Sequence, residues 1–228
     1  MKKKILITLI AVCTMLFAFG VINVSAATSG TCGDNLTWTL DDGGILTVSG
    51  QGDMTDYPTS TGAPWYSSGA DIVKVVIKES VTSIGECAFM YCSNLKSITI
   101  HDGVTSIGDG AFYECSNLSG IELPDGLTSI GNGAFDRCYA LESITIPDSV
   151  TSIGYGAFYE CSNLSSITIP NGVTSIGEFA FDSCSNLSSI TIARVINIHN
   201  TPAQVCAHGN GVILIVITKL ANNTLCIV

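Results

Sequence analysis

The pentad Val-Thr-Ser-Ile-Gly, or a close variant of it, recurs every 23 residues and constrains the fold of this chain more than any other feature. Its five occurrences begin at Val81, Val104, Leu127, Val150 and Val173. Seven residues after each start comes Ala-Phe, and then a single cysteine and a leucine follow at fixed offsets. A fixed period of this length with recurring apolar positions predicts a solenoid, in which successive coils stack and bury their apolar columns.

Each repeat contains the signals for two strands and one tight turn. The segment Ile144-Thr145-Ile146 and its equivalents alternate β-branched residues with period 2, which predicts a main strand with its isoleucines on one face. The pentad predicts a second short strand, and Ala-Phe-x-x-Cys predicts a short helical or 3-10 turn with Phe and Cys pointing inward. The predicted fold class is therefore a β-rich repeat solenoid of 23-residue coils.

The residues before the first pentad predict a leading strand and a cap. Apolar residues in 72–77 keep the 23-residue spacing to the first full repeat, so they indicate the strand of an incomplete coil. Leu36–Leu40 and residues 45–48 flank Asp-Asp-Gly-Gly, which is a β-hairpin signal, and such a hairpin would cap the open N-terminal edge. We therefore assign residues 27–70 to an N-terminal capping region and residues 71–193 to five full repeats plus a leading strand.

The repeat pattern C-S-N-L-x-x-I-T-I-P-x-x-V-T-S-I-G-x-x-A-F resembles the leucine-rich repeat of the BspA-like family of bacterial secreted and surface proteins. The resemblance covers Ile72 to about Ile192. Residues 29–54, together with residues 63–67, resemble the leader that often precedes such repeats. The resemblance implies a leucine-rich repeat solenoid and a secreted or surface-displayed binding protein. It supplies no catalytic residues.

Residues 1–26 are predicted to be a bacterial Sec-type signal peptide. Three lysines precede an apolar stretch at residues 5–22, and Val24-Ser25-Ala26 then provides small residues for cleavage. An uncleaved membrane anchor is the alternative, since the apolar stretch is nearly long enough to span a bilayer. Cleavage removes three basic residues from a chain whose net charge is already −10. Such an acidic chain argues against nucleic acid as a partner and against membrane contact beyond the signal peptide.

Residues 194–228 contain neither the pentad nor Ala-Phe. Ile213 nevertheless lies 23 residues after Ile190, so one interpretation is a degenerate final repeat or cap with residues 212–217 as the last strand. The other interpretation is a disrupted reading frame or gene end that has replaced the true continuation. An uncapped apolar strand at this end would be an aggregation hazard.

The chemistry-bearing residues follow the repeat instead of converging on one point. The repeated cysteines are predicted to form a buried packing column, because neighbouring parallel coils hold them too far apart for disulfides. They are Cys92, Cys115, Cys138, Cys161 and Cys184. Cys87 takes a position that is glycine in three other repeats and is expected to face outward. We predict no catalytic residue, no metal and no cofactor, and no enzymatic activity.

Two outward columns beside the phenylalanines vary and mix tyrosines with charged residues. Varied, tyrosine-rich positions on a repeated frame are typical recognition sites, although ordinary solvated surface is the alternative. The candidate partner-binding edge comprises Tyr91, Tyr113, Glu114, Arg137, Tyr155, Tyr159 and Glu160. The outward face of the main strands is expected to be a flat strip of serine and threonine hydroxyls. A recurrent asparagine before the core leucine is expected to bond turn backbone between coils.

These features predict a secreted or cell-surface protein that acts as a non-catalytic binding or adhesion module. Its partner would be an extracellular protein or glycan. The alternative is a structural spacer, or a truncated fragment of a larger surface protein, with no ligand of its own. An enzyme is disfavoured because a hydrolase needs converging groups, whereas this chain distributes its polar residues by period.

Overall fold

The computed structural model describes residues 28–59, 61–192 and the backbone of residues 214–217. The predicted signal peptide and most of the irregular tail lie outside these residues. The elements are β1 (Thr28–Gly33), β2 (Leu36–Leu40), β3 (Ile45–Gly50), β4 (Gly52–Asp53), a 3-10 helix (Tyr66–Asp71), β5 (Lys74–Ile77), β6 (Val81–Ile84), β7 (Ser97–Thr99), β8 (Ser106–Ile107), β9 (Gly120–Ile121), β10 (Ser129–Ile130), β11 (Ser143–Ile144), β12 (Ser152–Ile153), β13 (Ser166–Ile169), β14 (Ser175–Ile176), β15 (Ser189–Ile192) and β16 (Leu214–Ile217). They form the predicted β-solenoid of 23-residue coils.

The main strands β5, β7, β9, β11, β13 and β15 contribute one strand to each coil. The ladder bonds pair β5 with β7, β9 with β11 and β13 with β15, all parallel. Equivalent residues face one another, as in Ser166↔Ser189 and Ile167↔Ile190. Ile144 is buried and Thr145 is exposed, which confirms the predicted inward and outward positions.

The pentads build a second column of strands, as predicted. β4, β6, β8, β10, β12 and β14 form a parallel six-stranded sheet. Threonines beside these strands add hydrogen bonds that sequence reasoning did not anticipate: Thr128 Oγ1 donates to the carbonyl of Thr105 at 2.9 Å, and Thr151 Oγ1 donates to that of Thr128 at 3.1 Å. Each coil is thereby hydrogen-bonded to the coil before it through side chains as well as backbone.

The asparagine column bonds neighbouring coils as predicted, but it lies on the surface. Asn117 Nδ2 donates to the carbonyl of Ser93 at 2.7 Å, and Asn186 Nδ2 donates to Asn163 Oδ1 at 3.4 Å. The asparagine side chains of this column are exposed. The column therefore joins successive coils at the surface of the solenoid.

The Ala-Phe-x-x-Cys segments form consecutive tight turns, and their apolar side chains stack into the core. In the second coil, Tyr113 N donates to the carbonyl of Gly110 at 3.0 Å, and Cys115 N donates to that of Phe112 at 3.1 Å. These are the three-residue spacings of a 3-10 turn. The cysteine thiols also donate across coils, as Cys138 Sγ does to the Phe112 carbonyl at 3.2 Å. The predicted inward cysteine column is confirmed.

A continuous stack of aromatic rings runs along the solenoid axis. Phe89, Phe112, Phe135, Phe158 and Phe181 lie in successive coils, with ring centroids separated by 5.4, 5.3, 5.4 and 5.4 Å. Trp65 continues the stack at its N-terminal end, 5.5 Å from Phe89, and its indole N–H donates to the carbonyl of Ala88 at 2.7 Å. The core therefore consists of columns, in which each side chain packs on its own counterparts one coil away.

The N-terminal cap contains the predicted hairpin and one further strand. β2 and β3 pair antiparallel, and β3 pairs parallel with β5, so the hairpin covers the first main strand. β1 pairs antiparallel with β2 and was not predicted, because Thr-Ser-Gly-Thr-Cys-Gly lacks an alternating apolar pattern. Trp38 and Tyr57 pack edge-on against Trp65, at 5.6 and 6.0 Å, and close the end of the aromatic stack.

At the other end, β16 pairs parallel with β15. Ile190 faces Ile215 and Ile192 faces Ile217, a spacing of two residues more than the repeat period. The degenerate-repeat interpretation expected a strand here, but the structure pairs it two residues later than the 23-residue period would, because the intervening tail does not keep that period. Whether residues 194–228 are a degenerate repeat or the product of a disrupted frame stays a prediction.

Candidate functional site

The turns that follow each core phenylalanine hold two columns of residues in the left-handed backbone region. The first column has φ between +51° and +59° and contains Cys87, Gly110, Gly133, Gly156 and Phe179. The second has φ between +56° and +63° and contains Tyr91, Glu114, Arg137, Glu160 and Ser183. Glycine adopts this conformation freely, whereas other residues are strained in it. Four of the seven predicted edge residues belong to the second column, which contains no glycine.

Cys87 departs from its expected position. Its side chain is half-buried and packs against the core, because its left-handed backbone turns the side chain toward the next coil. A Cβ atom added to Gly110 would lie 3.5 Å from Cys87 Sγ. The prediction that Cys87 faces outward was therefore wrong, because its side chain is half-buried.

Arg137 is the centre of a cluster built from three adjacent coils. Its Nε donates to Glu160 Oε2 at 3.0 Å and its Nη1 donates to Glu114 Oε1 at 3.1 Å. Nη1 also hydrogen-bonds to the Tyr113 hydroxyl, and the guanidinium carbon lies 5.4 Å from the centre of the Tyr113 ring. Tyr139 donates to Glu160 Oε2 at 3.3 Å. We call these five residues the arginine cluster.

The ion pairs and hydrogen bonds of the arginine cluster hold its charges in place. The hydrogen bond to Glu160 is the main cause that raises the pKa of Arg137 above its usual value, and Glu114 adds to it. Burial raises the pKa of Tyr113 to about 12. Tyr91 extends the cluster toward the N-terminal cap, since its ring lies edge-on to that of Tyr113 at 5.6 Å.

Tyr155 and Tyr159, the other two predicted edge residues, line a groove beside the arginine cluster, and the carbonyl of Tyr159 accepts a hydrogen bond from Arg137 N at 2.8 Å. The groove has a volume of about 370 Å³. We call it the acidic groove, and its lining residues are Gly133, Asp136, Tyr155, Gly156, Tyr159, Phe179 and Asp182. The ring of Tyr155 lies edge-on to that of Phe179 at 5.4 Å, and 55% of Tyr155 is exposed.

Asp136 is the most perturbed carboxyl group of this groove. Its Oδ1 is buried and has no hydrogen-bond partner among the described residues. Burial raises the pKa of Asp136 to about 6; Arg137 opposes the shift, and the negative charges of Glu160 and Glu114 add to it. Asp136 belongs to a column that the repeat directs outward, but the structure makes it half-buried.

Sequence reasoning missed Asp136, Phe179 and Asp182 as groove residues, although the sequence carried a signal for them. Phe179 is an aromatic residue in a column that holds glycine in three other coils. The neighbouring column alternates Tyr113, Asp136, Tyr159 and Asp182, which places a tyrosine and a carboxylate side by side in consecutive coils.

The outward face of the main strands is a second candidate surface. Ser97, Thr99, Ser143 and Thr145 are exposed on it, as predicted, and two shallow depressions of about 560 and 410 Å³ lie along it. Lys74 and Glu122 line the first depression and Asp148 lines the second. This face is mostly neutral and hydroxyl-rich.

The groups that could support metal or thiol chemistry are dispersed or buried. Within residues 28–59 and 61–192, no three His, Cys, Asp or Glu side chains are grouped so that they could hold a metal ion. The cysteines of the same part of the chain are free thiols, and burial raises the pKa of Cys92 to about 12 and that of Cys138 well above its usual value. These thiols therefore stay protonated. No helix in the described structure has the length and hydrophobicity to cross a bilayer.

Similar structures come from bacterial leucine-rich repeat proteins. A T. pallidum leucine-rich repeat protein shares 26% identity over 68% of this chain and 80% of its own, with a TM-score of 0.57. One from Bacteroides ovatus shares 30% identity over 69% and 46% of the two chains, with a TM-score of 0.50. The pneumococcal vaccine antigen PcpA shares 22% identity over 73% and 50%, with a TM-score of 0.51, and so agrees in fold alone.

No curated protein matches the chain in sequence. The family described as "BspA type Leucine rich repeat region" matches residues 60–142 and 105–208, in six copies. The matched residues span more than half of the chain and contain all five pentads, the aromatic stack and both left-handed columns. This chain therefore belongs to the BspA-type leucine-rich repeat family.

Proposed function

We propose that this protein is a secreted or cell-surface binding module, without catalytic activity, that holds an extracellular protein or glycan at the predicted partner-binding edge. We include in this edge the seven predicted residues, Tyr139 of the arginine cluster and the remaining lining residues of the acidic groove. The observation that carries the proposal is the second left-handed column, which holds tyrosine, glutamate or arginine at four of its five positions although glycine would relieve the backbone strain there.

Stability does not account for the side chains in that column. A non-glycine residue in the left-handed region costs on the order of 1 kcal/mol. The ion pairs that Arg137 makes with Glu114 and Glu160 join side chains that are about a third exposed, and such pairs contribute about 0–1 kcal/mol. The first left-handed column, four residues earlier in the same turns, is mostly glycine. The presence of Glu114, Arg137 and Glu160 in this column therefore favours a role in recognition.

Exposed aromatic residues add to this argument. Tyr91 and Tyr139 are each 40% exposed, and Tyr155 is 55% exposed, all on the same edge of the solenoid. Rigid aromatic side chains with a polar tip contribute much of the binding energy in protein interfaces. An edge that presents several of them beside fixed charges is suited to a partner surface.

The proposed location has two supports. The first is membership of the BspA-type family, and the second is the leader at residues 1–26, whose charge and hydrophobic pattern is that of a signal peptide. An extracellular location limits the partner to a protein or glycan outside the cell.

The second candidate function is that of a spacer, or of a fragment of a longer surface protein, without a ligand of its own. The loss of the repeat after residue 193 and the altered register of β16 favour it. Sequencing of the coding region beyond codon 193 tests its premise, because an intact repeat in another frame would reveal a truncated gene.

A binding screen of the chain without residues 1–26 tests the main proposal. The probes are extracellular-matrix proteins, mucin glycans and bacterial wall fragments. The edge variant replaces Tyr113, Tyr159 and Glu160 with serine, and the control variant replaces the exposed threonines Thr145 and Thr168 with alanine. Circular dichroism confirms that each variant is folded.

Saturable binding that is lost in the edge variant and kept in the control supports the proposed function. Binding that survives the edge substitutions shows that the edge is not the site. If no probe binds the unsubstituted chain, the spacer function is favoured instead.

A further inference from the structure

We propose that the acidic groove binds the cationic side chain of a lysine or arginine from a protein partner. The inference rests on the proposed function, because the groove is part of the same edge. It narrows the partner from an extracellular protein or glycan to a protein segment with a basic side chain.

The shape of the groove suits one inserted side chain. Two left-handed glycines, Gly133 and Gly156, form part of its lining and leave it open, and a Cβ atom added to Gly156 would lie 3.6 Å from Tyr159 Cβ. The next residue in the same column is Phe179, whose ring closes the groove at one end beside Tyr155. The result is a short recess with aromatic walls on a surface that is otherwise exposed.

The charges that line the groove are negative. Asp136 and Asp182 both contribute to it, and no lysine or arginine is among its lining residues. Among the described residues, the cation that acts on Asp136 is Arg137, which is also engaged by Glu114 and Glu160 in the arginine cluster. An ammonium or guanidinium group in the groove would therefore meet two carboxylates and no competing lysine or arginine among the lining residues.

Asp136 supplies the specific reason to expect a cation in the groove. Its buried Oδ1 has no hydrogen-bond partner in the described structure, and burial makes its ionisation less favourable, an effect that Arg137 opposes and that Glu160 and Glu114 increase. A buried carboxylate oxygen without a hydrogen-bond partner is costly, and a positive charge nearby lowers that cost. A neutral sugar would not, because it brings no charge.

The aromatic walls favour the same ligand chemistry. The faces of tyrosine rings attract cations, and the methylene groups of lysine or arginine pack against aromatic surface. Tyr155, Tyr159 and Phe179 provide such surface next to the two aspartates. Carboxylates beside aromatic rings therefore suit both the charged group and the methylene groups of a basic side chain.

The charge of the whole protein supports a basic partner. The described residues include all 19 aspartates and glutamates of the chain, while their basic side chains, histidine apart, are Lys74, Lys78, Lys96 and Arg137. An acidic surface steers a basic partner toward it and repels an acidic one.

A labelled peptide of alternating glycine and lysine, and the same peptide with every lysine acetylated, test the inference by fluorescence anisotropy. The groove variant is Asp136→Asn with Asp182→Asn. The control variant, Asp125→Asn with Asp148→Asn, removes the same formal charge from two exposed positions. A third variant, Tyr155→Ala, removes one aromatic wall without any change in charge.

We expect saturable binding of the lysine peptide, about tenfold weaker in the groove variant and in Tyr155→Ala, and within about twofold of the unsubstituted chain in the control variant. The acetylated peptide should not bind. Equal losses in the groove and control variants would show non-specific charge attraction and overturn the inference, as would equal binding of the acetylated peptide or no saturable binding at all.

The groove variant in the matrix-protein and glycan screen separates this inference from the proposed function. If the edge variant loses its partner while the groove variant keeps it, the proposed function stands and the inference about the groove fails. If both variants lose the partner and the partner is a basic protein, both stand. A neutral glycan as the partner would refute the groove inference alone.

Discussion

Replacement of Phe135 by alanine tests the columnar core most directly. The Phe135 ring is fully buried and lies between the rings of Phe112 and Phe158, at 5.3 and 5.4 Å and nearly parallel to both. The substitution removes the central member of the aromatic stack and leaves a cavity between two coils.

The expected loss in the free energy of unfolding depends on how far the surrounding coils can close this cavity. Replacement of a buried phenylalanine by alanine lowers the free energy of unfolding by about 3–5 kcal/mol, and the loss increases with the volume of the cavity that remains. The backbone on both sides is pinned by the bonds from Phe112 N to the Ala134 carbonyl and from Phe135 N to the Ala157 carbonyl, each 2.8 Å. We therefore expect a loss near the middle of this range, about 4 kcal/mol.

Urea denaturation followed by two probes measures the effect. Far-UV circular dichroism reports on the whole solenoid, whereas the chain's two tryptophans, Trp38 and Trp65, lie at its N-terminal end. A repeat protein is held together by interfaces between neighbouring coils. A weakened central interface should lower the dichroism midpoint more than the fluorescence midpoint, so that the two transitions separate.

Thr145→Ala is the matched control, since Thr145 lies in the same repeat but is exposed on the main-strand face. Its effect should be about 0.5 kcal/mol or less. If Phe135→Ala lowers the free energy of unfolding by less than about 1 kcal/mol, or no more than the control does, the reasoning from stacked core columns is wrong.

Three further predictions concern other parts of the structure. Because the folded state raises the pKa of Asp136 from 3.8 to about 6, the native protein binds this proton more tightly than the unfolded chain, and stability is lost as the pH rises from about 4 to about 6. Asp136→Asn should therefore increase the free energy of unfolding at pH 7 by about 1–2 kcal/mol after screening by solvent, with a smaller gain at pH 4, and urea titrations at both pH values measure it. Iodoacetamide labelling at pH 8, followed by mass spectrometry, should modify half-buried Cys87 before fully buried Cys138, and equal rates would contradict the assigned burial. Trp65→Phe keeps a ring in the stack but removes the hydrogen bond to Ala88, so thermal unfolding should show a loss of about 1 kcal/mol; no loss would mean that this bond is not formed.

Much of the fold could be predicted from the sequence, because a period of 23 residues repeats the same physical problem in every coil. Ile144, Phe135 and Cys138 were assigned to the interior from their spacing, and the structure buries all three. The hairpin of β2 and β3 could also be predicted, because the turn residues that signal it are local in the sequence.

Predictions failed where the period or a local pattern was missing. β1 contains two glycines and no alternation, and it forms a strand because β2 offers an edge to pair with. The register of β16 depends on the length of an irregular tail. Both features are set by what lies next to the segment in space.

The sequence by itself determined the stacked coils, the buried columns and the edge on which variable residues project, because a repeat dictates which positions face inward. Only the tertiary structure decided how those variable residues meet. Arg137 contacts Glu114 and Glu160 across coil interfaces, while Asp136 and Tyr155 line a separate groove. The reason is geometric: left-handed turns and coil stacking bring together side chains about 23 residues apart, and a one-dimensional pattern contains neither their directions nor their distances.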